Sequence, residues 1–177
     1  MAFNQTELDD MIYHVVYEFR MLVNCTWLLY GPKKKRVKNR QKRNMIEESL
    51  WLHERVLWDF FAKMSRPRSD TVMAESYVTT WTRPQELDPP DPPQDHWDAL
   101  NKRMAHMSVD RLDRKYRLKG RHLREIKKRL LDVFVDFLMD TDLDPHYKKM
   151  FRKEIRSQAK YLVSPKGWPK KIRSATK

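Results

Sequence analysis

A single cysteine, Cys25, stands among 177 residues, so no intrachain disulfide can form and a reducing compartment, the cytoplasm, is the simplest setting for the chain. Glycine is nearly as scarce, with three residues, which leaves little material for tight hairpins or a phosphate-cradling glycine loop. Long apolar runs are missing too. The most apolar window, Met21 to Tyr30, is too short to span a membrane, and Glu18 and Arg20 lie just before it. No secretory segment is expected, because Met1 to Asp10 carries acids where such a segment would be basic and then apolar. The six histidines are scattered and the cysteine is alone, so no metal-ligand spacing emerges and no metal or other cofactor is expected.

Acid is the other deficit. There are 24 Asp and Glu against 37 Lys and Arg, a formal net charge of +13. The excess is concentrated. Residues 32–43 hold eight Lys/Arg and no acid, residues 111–129 hold ten against two acids, and residues 148–177 hold eleven against one. Together these stretches contain 29 of the 37 basic residues, while acids gather around Glu86, Asp88, Asp91, Asp95 and Asp98. Such clustering points to a polyanionic partner, with binding driven by counterion release and therefore weakened steeply by salt. The plain alternative is a solvated basic surface that serves solubility.

Apolar residues make up 40% of the chain, and at this length a domain buries roughly 70% of its unfolded surface, so a core needs no disulfide or metal. The apolar positions recur at three- and four-residue steps, which predicts an all-α protein, a single-domain bundle of five or six helices. The first helix is expected from Thr6, as cap, to Gly31-Pro32, with Leu8, Met11, Ile12, Val15, Val16, Phe19, Leu22 and Val23 inward. A second runs from the basic stretch to about Met64, with Leu50, His53, Leu57, Phe60 and Phe61 inward and Glu47, Glu48, Glu54 and Asp59 on a polar flank. A short helix is expected over Asp70–Tyr77, capped by Ser69. Residues 82–94, rich in proline and acid, read as a loop strapped over the bundle rather than a domain boundary. Helices follow from near Asp95 to Arg111, from about Lys119 to Met139, and from Pro145, capped by Asp144. Residues 1–163 would form the bundle and 164–177 a loose basic tail.

Two segments place polar residues on apolar faces. In the first, Glu48 and Ser49 precede His53 by one helical turn, and Arg55 and Asp59 are spaced as an ion pair. The second contains Asn101, His106 and Arg111. If the two helices met, His53 and His106 would handle protons, Arg55 and Arg111 would hold a phosphate, and Asn101 would orient the cluster. The sequence equally allows a buried polar network or a ligand site without catalysis. Cations for nucleic acid are expected from Lys33, Lys34, Lys35 and Arg36, and from Arg121, Arg124 and Lys128. Pro32-Lys-Lys-Lys-Arg-Val37 also has the form of a nuclear-import signal. Trp168, flanked by Lys166, Lys170 and Lys171, is the candidate for stacking on a base, with packing against the bundle as the alternative.

These segments resemble the paired signatures of a poorly characterised family of bacterial all-helical proteins. The matching residues are Asn44, Glu48-Ser49, His53-Glu54-Arg55, Asp59-Phe60-Phe61, Asp70 to Ala74, Asn101-Lys102, Ala105-His106 and Arg111, covering roughly residues 40–115. That family is distantly similar to HEPN helical bundles, many of which are metal-independent ribonucleases of defence and toxin systems. Their motif is an Arg, a polar residue and a His after four to six intervening positions. Arg117 to His122 meets the count, with Leu118 in the polar slot and Gly120 inside the motif. The resemblance implies a helical protein that binds nucleic acid, RNA before DNA, and cuts it without metal. The alternative is a non-enzymatic protein-interaction or regulatory module, with a homodimer or other protein as partner.

Overall fold

The computed structural model describes residues 3–62, 71–82, 84 and 120–176, with side chains from residue 125 in the last span. The protein is all-α. Five α-helices, α1 (Gln5–Tyr30), α2 (Arg40–Phe61), α3 (Gly120–Met139), α4 (Pro145–Gln158) and α5 (Lys170–Ala175), form a bundle with no strand among the described residues.

Helix α1 is capped two residues earlier than expected. Asn4, not Thr6, receives the Glu7 amide at 3.0 Å, while the Glu7 carboxylate receives the Asn4 amide at 2.8 Å. The helix ends where the sequence requires, at Gly31-Pro32. Asn39 caps α2 through the Lys42 amide, and Asp144 caps α4 with Pro145 in the first turn. The expected short helix over 70–77 contracts to one 3-10 turn, Ala74–Ser76; Ser69 and Asp70 lie outside the described residues. So do the expected helix of residues 95–111 and the proline-rich loop, apart from Thr82 and Pro84.

Helix α1 packs against α2 and α4, and α3 packs against α2 and α5. Phe19 and Phe134 stack at 4.0 Å between ring centres, and Phe60, Phe61, Phe137, Phe151, Tyr77 and Trp81 surround them edge-on or tilted. Offset and edge-on rings bury large apolar area in the geometry their quadrupoles favour.

The tail expected to be loose is part of this core. Trp168 is 3% exposed and donates its indole N–H to the Ile155 carbonyl at 2.7 Å, and Ile172 and Ala175 are buried beside it. Residues 168, 172 and 175 follow helical spacing, so their apolar face holds α5 on α3 despite the surrounding lysines. The described helices include none long and apolar enough to cross a membrane.

Candidate nucleic-acid interface

The last turn of α1 places Trp27 and Tyr30 on one face, three residues apart and both partly exposed. Gly31 follows because nothing larger fits: a Cβ there would lie 2.5 Å from the Trp27 carbonyl oxygen and 3.2 Å from its ring. The chain then turns back, and the Val37 amide donates to the Leu28 carbonyl at 3.0 Å. This fold-back holds the basic run against the end of α1. Lys33, Lys34 and Lys35 form a short 3-10 turn with exposed side chains. Arg36, also exposed, donates to the carbonyls of Gly31 and Tyr30, so its charge caps the negative end of α1.

Across from Trp27 and Tyr30 lies the turn that leads into α5. The Gly167 amide donates to the Ser164 carbonyl at 2.9 Å, closing a β-turn with Pro165 second and Gly167 last. Gly167 sits at φ +65°, a conformation that glycine adopts without strain. A cavity of about 470 Å³ opens between the two elements, within the range of roughly 300–1,000 Å³ usual for small-ligand sites. Its walls carry Trp27, Tyr30, Lys127, Lys166, Lys170 and Arg173, and no carboxylate is among the described residues lining it.

Two of the three basic stretches supply the cations of that wall, and the third begins beside it. Lys127 comes from 111–129; Lys166, Lys170 and Arg173 come from 148–177; Gly31, at the rim, leads into the run of 32–43. Burial draws the Lys127 ammonium below its ordinary pKa, and the carboxyl of Glu54 works in the opposite direction. Burial, followed by the charge of Glu47, pushes the Tyr30 phenol up to about 12, so it stays a hydrogen-bond donor at neutral pH. Of the two roles open to Trp168, packing holds and base stacking does not: its indole packs into the core, bonds to Ile155 and forms a buried wall of this cavity. Lys128 is exposed on α3; the side chains of Arg121 and Arg124 lie outside the described residues.

The expected catalytic cluster fares differently. Asn101, His106 and Arg111 lie outside the described residues, as does the His122 side chain. His53 is 7% exposed with both ring nitrogens engaged: Nδ1 lies 2.5 Å from Glu18 Oε2 and Nε2 lies 3.1 Å from Ser49 Oγ. Nδ1 is thus paired with the Glu18 carboxyl and Nε2 with the Ser49 hydroxyl, whose oxygen also accepts from the Cys25 thiol at 3.7 Å. The order acid, imidazole, hydroxyl is that of a hydrolase relay. Ser49 nevertheless lies inside α2, where neighbouring amides are spent on the helix and none is left to stabilise an oxyanion. The arrangement clasps α1 to α2, and the expectation that His53 transfers protons at an open cleft is not met. Arg55 pairs with Asp59 at 3.9 Å, as its spacing predicts.

Glu54 also departs from expectation. Placed by sequence on the polar flank of α2, it is fully buried, because it lies on the same face as Leu50, Leu57 and Trp58. Neither carboxyl oxygen has a hydrogen-bond partner among the described residues, and desolvation raises its pKa well above the ordinary value against the pull of Lys127.

Sequence reasoning missed the cavity itself. Its legible traces were the Trp27–Tyr30 spacing before Gly-Pro and the lysines around Trp168. Among the described residues, no three His, Cys, Asp or Glu side chains group as a metal site would need. The chain matches no protein-family model, no curated protein and no solved structure.

Proposed function

We propose that this protein binds single-stranded nucleic acid, RNA in preference to DNA, along the cationic surface that runs from Lys33–Lys35 over the cavity to Arg173. The observation that carries the reading is the convergence of cations from two basic stretches, distant in sequence, on one cavity flanked by Trp27 and Tyr30, with no acid among its described lining residues and the third basic run starting directly after Gly31. Cations that track a backbone, beside aromatic faces on which bases stack, are the ordinary means of holding a single strand. Duplex offers no unstacked base to those rings. The reading is one of binding: of the histidines expected to transfer protons, His53 has both ring nitrogens engaged.

Retardation of a labelled oligoribonucleotide across a salt series tests it. Binding at low salt should weaken with a slope of about −0.7 in log affinity against log salt for each phosphate engaged. Absence of any retardation at low salt overturns the proposal. It would favour a protein partner, for which the exposed Met45, Leu52 and Val56 on α2 supply the apolar contacts.

A further inference from the structure

The cavity has more positive charge than a passing strand needs. Each internal phosphodiester brings one negative charge, whereas a terminal phosphomonoester brings about −1.5 to −2 near neutral pH. Four cations, Lys127, Lys166, Lys170 and Arg173, line a space for one small ligand, and none of the described lining residues is acidic. The Lys127 ammonium is half-buried and forms no salt bridge with a described carboxylate. Burying part of a cation is costly, and an anionic ligand in the cavity would add to the attraction of the Glu54 carboxyl in offsetting that cost.

The shape of the wall adds direction. Val23, Thr26 and Trp168, all buried, form the inner part, while Lys166, Lys170 and Arg173 are exposed. A strand entering over the cations therefore meets a closed apolar surface with aromatic flanks, suited to one base. The remaining phosphates would leave past Gly31 towards Lys33, Lys34 and Lys35, the exposed run that begins at the rim.

Building on the RNA-binding reading, we infer that the cavity seats the terminal nucleotide of a single strand, one whose end carries a phosphomonoester. The base lies against Trp27 and Tyr30, and the terminal phosphate is held among Lys127, Lys166, Lys170 and Arg173. The protein then distinguishes phosphorylated ends, such as cleavage leaves, from hydroxyl ends and from interior sequence.

Fluorescence anisotropy with three versions of one short oligoribonucleotide tests this: 5′-phosphorylated, 3′-phosphorylated, and hydroxyl at both ends. One phosphorylated version should bind about tenfold more tightly than the hydroxyl version, the scale of one additional charge-assisted contact set. In the double variant Lys166→Ala/Arg173→Ala, both positions being exposed, all three oligomers should bind more weakly, and the phosphorylated version should lose more than the hydroxyl version, so that the ratio between them falls to about one. Equal affinity for all three in the native protein overturns the inference and leaves the RNA reading standing. A preference that survives in the double variant overturns it as well. Should no oligomer bind, a titration with adenosine monophosphate separates the two: saturable binding upholds the cavity as a nucleotide site and overturns only the RNA reading, and no binding overturns both.

Discussion

Replacing Glu54 by methionine should stabilise this protein, and the size of the gain follows from where the side chain lies. Glu54 is 0% exposed and both oxygens lack a partner, so the native state carries the desolvation of an unsatisfied polar group, about 1–3 kcal/mol. Methionine has nearly the same length and volume and no polar atom, so it fills the site without a cavity. The opposing effect is loss of the charge near Lys127. Where both members of a pair are sealed from water, removing one costs about 3–5 kcal/mol. Lys127, however, lines an open cavity and keeps access to solvent, so desolvation relief wins. At neutral pH the variant should gain about 1–3 kcal/mol, and each kcal/mol should lift Tm by about 2–4 °C for a chain of this length. The pH dependence supplies a second check. Burial raises the native pKa of Glu54 above the ordinary 4.5, so the folded state holds a proton that the unfolded state releases. This group's contribution is therefore fully present below 4.5 and is lost as pH rises towards the native value, by about 1.4 kcal/mol per pH unit. The variant lacks that slope, so its advantage should widen with pH across this window. Urea unfolding of both proteins at several pH values measures it. A variant less stable at pH 7 than the parent refutes the reasoning and makes Glu54–Lys127 a net stabilising pair.

Three further outcomes are expected. Trp168→Ala should cost about 3–5 kcal/mol in denaturant unfolding, because a buried indole and its bond to Ile155 are removed; a cost near zero would mean the tail is not docked. His53→Ala should cost about 1–3 kcal/mol through unpaired Glu18 and Ser49 and leave the salt dependence of RNA binding unchanged; a loss of RNA binding at unchanged stability would place His53 in the interface. Replacing Lys33, Lys34 and Lys35 together by alanine should flatten the salt slope by about 2, since each single-strand phosphate no longer neutralised removes roughly 0.7 from it. Folding should be unaffected because all three side chains are exposed, and an unchanged slope would take this run out of the interface.

The contrast between α1 and the α5 segment marks where sequence reading succeeds. Leu8, Ile12, Val15, Val16, Phe19, Leu22 and Val23 repeat at the helical period over a long span, and all are buried. Lys170–Ala175 is only six residues long and mostly polar, so the three-residue stripe of Trp168, Ile172 and Ala175 is too brief to outweigh its charge in a linear reading. Glu54 was misplaced for a related reason. A charged side chain is normally assigned to the outside, and the spacing with Leu50 and Leu57 that buries it was read in the apolar residues alone.

Local chemistry along the chain therefore determined the helices, their ends at Gly31 and Asp144, the Arg55–Asp59 pair and the three separate concentrations of positive charge. Capping, helical period and charge act between near neighbours, so a string of residues records them. Which of those concentrations meet, and whether His53 faces solvent or Glu18, depends on contacts between residues far apart in the chain. Only the packing of α1 against α2, and of α3 against α2 and α5, brings Lys127, Lys166, Lys170 and Arg173 beside Trp27 and turns dispersed charge into a cavity.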